Sequence, residues 1–208
     1  MKELKVKIIF QEDVLGTASN DPDIHNEFIA SKAPDALTRE EEVATVGVDE
    51  IVEKSMTVFP RNKEGQPILY DYQVKGFFKD ACSMLNRLTP KAEKGAKKQP
   101  TNESSKLTAY KKIIDGLIFV KPRMIPFEIN GEIGSCQRPL RGQTAQGERI
   151  ALANSESIPA GSSVEFDIMM LDPAHEAAVR EWLDYMSLRG IGCWRNSGKG
   201  RASWEEIA

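Results

Sequence analysis

Residues 190–201 read GIGCWRNSGKGR. Gly190, Gly192, Gly198 and Gly200 remove Cβ at alternate positions, which permits positive φ and brings the backbone close to whatever lies against it. Arg189, Arg195, Lys199 and Arg201 set cations around the amides of this loop. A backbone with free N–H groups flanked by arginines is a phosphate cradle by mechanism. The same residues also describe a glycine-rich turn packed on its own sheet, with Trp194 plugging the core. Residue types alone leave both open.

Working outward, RASWEEI (201–207) reads as a short closing strand, and Asp172-Pro173 starts a helix whose apolar side carries Ala177, Val179, Leu183 and Met186, with Trp182. Before it, IALANSESIPAGSSVEFDIMML (150–171) gives two strand-like stretches around an IPAG turn, the second turning Val164, Phe166, Ile168 and Met170 inward. Strand, helix, loop and strand in this order make half of a ferredoxin-like unit.

At the other end, KVKIIF (5–10) alternates charge and apolar side chains and predicts a first strand with one buried face. Turn formers follow, then Asp21 as N-cap and Pro22 at the first position of a helix to about Lys32. Thr38 and Glu41 form a capping box for a second helix or turn. SMTVFPR (55–61) and PILYDY (67–72) predict two strands joined by NKEGQ. From Gln73 to Leu88, Val74, Phe77, Phe78, Ala81, Met84, Leu85 and Leu88 recur at helical spacing, with Lys75, Lys79 and Arg87 on or near the opposite face. Residues 89–106 offer almost nothing to bury and read as a mobile basic loop. Ile113–Val120 is an apolar strand candidate, and prolines allow KPRMIPFEI (121–129) an edge strand at best. Residues 131–149 read as a loop or protruding hairpin carrying Arg138, Arg141 and Arg149.

Charge separates functions that composition does not. The net charge is −3, yet residues 1–72 carry 8 Lys/Arg against 15 Asp/Glu, residues 73–123 carry 12 against 4, and residues 124–208 carry 8 against 12. The basic middle can neutralise phosphates, or it can be a solvated loop without a partner. Single strands are also gripped by stacking, for which Tyr70, Tyr72, Phe77 and Trp194 are candidates. Tyr70 and Tyr72 share a face of a regular strand close to Lys75, whereas Phe77 faces the core with Phe78.

Other chemistries find little support. The three cysteines, Cys82, Cys136 and Cys193, are far apart in sequence, signal neither a disulfide framework nor zinc, and read as buried thiols. The two histidines, His25 and His175, stand beside no nucleophile signature and read as surface residues. No phosphate-loop or dinucleotide fingerprint occurs, so no ATP, NAD or other cofactor and no metal is indicated. No apolar run has membrane-spanning length and no signal-peptide core is seen, which predicts a soluble, cytoplasmic protein with no membrane partner.

Three stretches resemble, in order, the RAMP superfamily, to which the crRNA-binding backbone subunits of CRISPR effector complexes belong. IPAGSSVEFDI (158–168) looks like the family's strand pair, and WLDYMSLRGIGCWRNSGKGRASWEEI (182–207) is similar to its closing helix, glycine-rich loop and final strand. PILYDYQVKGFFKDACSML (67–85) looks like the segment leading into its first helix, with Tyr70–Gln73 where the family shows Pro-Gly-Ser-Ser, and only Val74, Lys75, Gly76 and Lys79 preserved in type. The resemblance implies an α+β fold, an RRM-like (ferredoxin-like) antiparallel sheet core with helices on one face, as one domain over 1–208 with insertions at about 11–50, 89–106 and 131–149. It implies single-stranded RNA or DNA as ligand, with head-to-tail homo-oligomers or filaments along the strand. The binding residues expected are Tyr70, Tyr72, Lys75, Lys79, Arg138, Arg141, Arg149, Arg189, Arg195, Lys199 and Arg201, with no catalytic residue. One alternative is a protein-interaction module, for example a phage or mobile-element mimic docking on an effector complex. Another is a metal-dependent RNA endonuclease: Asn20-Asp21-Pro22-Asp23 is similar in composition, not in spacing, to the aspartate context with which some family members cut RNA. Helix capping by Asp21 explains the same residues.

Overall fold

The computed structural model describes residues 1–20, 56–90, 99–144 and 147–207, with only the backbone described for those between 140 and 151. The predicted first helix, the Thr38–Glu41 box, Asp21, Asp23 and His25 lie outside the described residues. In chain order the elements are β1 (Lys2–Phe10), β2 (Val14–Leu15), β3 (Ala18–Ser19), β4 (Thr57–Val58), β5 (Ile68–Tyr70), α1 (Asp71–Leu85), α2 (Glu103–Lys106), α3 (Tyr110–Leu117), β6 (Ile118–Lys121), β7 (Met124–Glu128), β8 (Gly134–Thr144), β9 (Gly147–Ile158), β10 (Ser163–Met170), α4 (Glu176–Arg189) and β11 (Ala202–Glu206).

The main sheet runs β11-β1-β10-β7-β5, with β6 also on β10. β6 pairs with Asp167–Met170 and β7 with Ser163 and Val164, so the two are successive lengths of one strand beside β10. Every pairing in this sheet is antiparallel. With α1 ahead of β6 and α4 between β10 and β11, the order is that of a βαββαβ ferredoxin-like core.

Alternation places the core. Leu4, Val6, Ile8 and Phe10 of β1 and Val164, Phe166, Ile168 and Met170 of β10 are buried against Val74, Phe77, Phe78 and Ala81 of α1 and Val179, Trp182, Leu183 and Met186 of α4. The intervening residues of the two central strands face away from the helices. There Lys7 Nζ bridges Glu165 at 2.9 Å and Glu128 at 3.0 Å. These bonds raise the lysine's pKa, and the Lys7 hydrogen bond lowers that of Glu128.

A second sheet runs β2-β9-β4-β3, with β8 on the other side of β9. The β8–β9 hairpin, paired from Gly134–Ser157 to Thr144–Gly147, is the hairpin alternative of the two expected for 131–149. Buried Glu156 ties residues 59–61 to β9, accepting from the Phe59 amide at 2.8 Å and from the Arg61 guanidinium.

Several expectations are corrected. The 55–61 and 67–72 segments turn back on each other at NKEGQ as expected, but pair only at its mouth, through the Arg61–Pro67 bridge with the Asn62 amide on Gln66 O and the Ile68 amide on Pro60 O; the strands beyond, β4 and β5, belong to different sheets. α1 begins at Asp71, which puts Tyr72 on the helix. Ile113–Val120 splits into the end of α3 and β6, because Ile114 is buried from a helical turn. β7 is interior, between β10 and β5, with exposed Pro126 within it. Within the 89–106 loop, Ser104 is fully buried and opens α2, since Glu181 accepts from the Glu103 and Ser104 amides and Trp182 Nε1 donates to Ser104 Oγ at 2.9 Å. Ala178, not Ala177, faces the core, and Leu88 is exposed. His175 is buried, under the first turn of α4. Of the cysteines only Cys82 is buried, its thiol pushed up to about 11 chiefly by desolvation, while Cys136 and Cys193 are half-buried.

Candidate nucleic-acid interface

The glycine loop is folded onto itself. The Ile191 amide donates to Gly200 O at 2.9 Å, the Gly200 amide to Asp13 O at 2.8 Å, and the Ser197 and Gly198 amides to Trp194 O and Arg195 O, both at 3.0 Å. A Cβ on Gly200, whose φ is +72°, would stand 1.9 Å from Ile191 O, so that glycine is required by the loop's own closure. These four amides are spent within the fold and are not among those a phosphate could meet. The core-plug reading of Trp194 is corrected: the indole is 39% exposed, on a residue with φ +54°.

Side chains, then, carry what the loop can offer. Arg189 Nε and Arg195 Nη1 both donate to Oδ2 of Asp80 on α1, at 3.1 and 2.7 Å. Arg189 Nη1 also donates to Asn196 Oδ1 at 2.8 Å. Lys199 Nζ donates to Asp13 at 2.7 Å, which holds that carboxyl below and the ammonium above their usual ranges. Arg201 is exposed, with no ion pair or hydrogen bond from its side chain among the described residues, and its guanidinium passes over Gly198, 3.6 Å from where a Cβ would sit.

Arg138 reaches Trp194 from β8, its guanidinium carbon 5.4 Å from the ring centroid. Its Nε and Nη1 are buried and find no hydrogen-bond acceptor among the described residues. A large exposed aromatic in left-handed backbone, beside a guanidinium with unmet donors, is strain of the kind kept at ligand sites. The side chains of Arg141 and Arg149 lie outside the described residues.

The face of α1 toward the loop contains Gln73, Gly76 and Asp80, at helical spacing. Gln73 Nε2 donates to Thr17 Oγ1 at 2.9 Å, Asp80 holds the two arginines, and Gly76 between them is exposed with nothing within 4 Å of a Cβ position. A neighbouring stripe of α1 belongs to α3: Lys79 pairs with Asp115 at 2.6 Å, and Lys75 donates to Asp115 O while lying over the Phe119 ring. Tyr70 and Tyr72 stack, with centroids 5.1 Å apart and an interplanar angle of 16°, and Tyr72 is 58% exposed. The expected residues therefore fall in two patches, the loop cations with Arg138 and Trp194 on one side of α1, and the tyrosines with Lys75 and Lys79 on the other. Asp13, Asp80 and Gln73 were not anticipated, and nothing in their local sequence marks them. Among the described residues no group of three or more metal-ligating side chains converges.

RNA recognition across an RRM sheet uses aromatics on the open face. Here the outward residues of the two central strands include Glu3, Lys5, Lys7, Glu165 and Asp167 and no aromatic, and the outward aromatic beside them is Phe119 of β6, opposite Met169.

No family model matches the chain, and no curated protein matches it. Among solved structures, all of the chain aligns with a chain of a type III-B Cmr-beta complex bound to cognate target RNA, at a TM-score of 0.50 and 10% identity. Its fold resembles that of this Cmr-beta chain. The protein spans 60% of that chain's length. A chain of a type IV-B CRISPR complex aligns with all of it at 12% identity and a TM-score of 0.49, covering 91% of that second chain. The first likeness bears out, at the level of fold, the resemblance read from the sequence. Among the described residues no helix is long and apolar enough to cross a membrane.

Proposed function

We propose that this protein binds single-stranded nucleic acid, RNA foremost, without cutting it, and that copies line up head to tail along the strand. The observation that carries the reading is the Trp194–Arg138 pair: an exposed indole offers a base a stacking face, and the guanidinium beside it has buried donors awaiting an acceptor. Arg201, exposed beside Gly198, supplies a phosphate contact, and Gly76 lets a backbone approach α1 closely. Stacking and phosphate contacts are indifferent to base identity, so binding is sequence-tolerant. The RNA in the Cmr-beta complex supports RNA as the strand.

The test is titration of labelled oligouridylate, followed by anisotropy and Trp fluorescence over a range of salt. Binding should weaken linearly in log–log form with salt, at about −0.7 per phosphate neutralised. Trp194→Ala should cost about 1–3 kcal/mol of affinity, and Arg201→Ala should flatten the salt slope by about 0.7. The strand should be recovered uncut, with more copies bound as it lengthens. Salt-independent binding, or undiminished wild-type affinity in both variants, sinks the reading.

A further inference from the structure

Asp80 sits where a second kind of anion would fit. One carboxylate oxygen, Oδ2, receives both Arg189 Nε and Arg195 Nη1. The three side chains are each only 23–27% exposed, so two cations share one anion in a partly dehydrated place. Low local dielectric makes the uncompensated positive charge more costly than on open surface. A phosphodiester spreads its single negative charge over two non-bridging oxygens, one for each guanidinium, and charge-assisted bonds of this type are the strong ones. The surroundings admit such a group: Gly76, one turn before Asp80 on the same face of α1, is exposed with open space at its Cβ position, and Arg195 is the next residue after the exposed Trp194.

We infer that Arg189 and Arg195 form a phosphodiester site, which Asp80 fills in the free protein and yields when a strand binds. The inference rests on the strand-binding reading above and adds a threshold to it. A lone phosphate must compete with a tethered carboxylate at high effective concentration. A strand that also stacks on Trp194 and reaches Arg201 has enough additional contacts to exchange. Asp80 thereby selects for continuous strands over isolated phosphates.

The experiment compares wild type, Asp80→Asn and Arg195→Gln for binding of oligouridylate across a salt series and of inorganic phosphate by thermal shift, with melting temperature as the check on folding. Asp80→Asn should bind the strand about tenfold more tightly at 0.1 M salt, with a salt slope steeper by about 0.7, and should gain stabilisation by inorganic phosphate that wild type lacks. Arg195→Gln should weaken the strand and flatten the slope. An Asp80→Asn protein that melts like wild type but binds the strand equally or more weakly overturns the inference while leaving strand binding intact. If Asp80→Asn does not fold, undiminished affinity in Arg195→Gln overturns it instead. Should wild type bind no strand, the functional reading fails by itself, and a phosphate response in Asp80→Asn still upholds the site; silence in both removes the two together.

Discussion

Gly76 is a residue whose cost is visible and whose use is not explained by packing. An exposed glycine inside a helix destabilises it by about 1 kcal/mol relative to alanine, and here no atom lies within 4 Å of the Cβ position. Gly76→Ala should therefore raise the melting temperature by about 2–4 °C and at the same time weaken the strand, as seen by calorimetry and anisotropy on the same sample. A variant that gains stability and keeps full affinity would remove α1 from the strand's path. The sequence made Lys75-Gly76 legible as a unit, whereas Tyr70 and Tyr72, expected on one face of a strand, lie together as rings stacked on each other with Tyr72 on a helix. Asp80 and Asp13 were illegible for a physical reason. Their partners stand 109, 115 and 186 residues away, and no local periodicity encodes a pairing made only by the closed fold.

At the scale of elements, the helices and strands that bury one regular face were readable, and those defined by a distant partner were not. α1, α4, β1 and β10 follow their periods. α2 has no apolar face to announce it, because its first turn is held by the Glu181 carboxylate and by Trp182 from α4. The glycine loop was legible as a special backbone, but the amides of Ile191, Ser197, Gly198 and Gly200 close on the loop itself and on the turn between β1 and β2. That closure has a pH signature through Asp13 and Lys199. The folded pKa of Asp13 is lowered, first by the Lys199 hydrogen bond, so its contribution to stability is full above the unfolded carboxylate value and lost as pH falls through the folded one. Lys199 is raised, so its contribution is full below the unfolded lysine value and lost as pH rises through the folded one. The melting-temperature gap between wild type and Asp13→Asn should be flat between about pH 5 and 9 and should narrow as pH falls below the ordinary carboxylate range. A gap that widens on acidification would contradict the pairing.

For the whole molecule, half of the ferredoxin-like core was readable from the order of its last elements and the rest came with the family resemblance, whereas the second sheet was not readable, since β2, β3 and β4 are two-residue strands assembled around β9. The core has one vulnerable seam. β11 covers the edge of β1 from Val6 to Phe10, and without it that edge would present unpaired amides and carbonyls. A chain ending at Gly200 should be found in the insoluble fraction on expression, while one ending at Ile207 should stay soluble. Equal solubility would mean that β1 does not need its outer neighbour. The same registers govern birth at the ribosome. Ile9 pairs with Ser163 and Ser203, so β1 emerges and then waits for some 150 residues of further synthesis, roughly 8–30 s. Through that interval KELKVKIIF is a nascent strand without a mate, and the lysines set among its apolar residues are what keep it from pairing with the same strand on a neighbouring polysome.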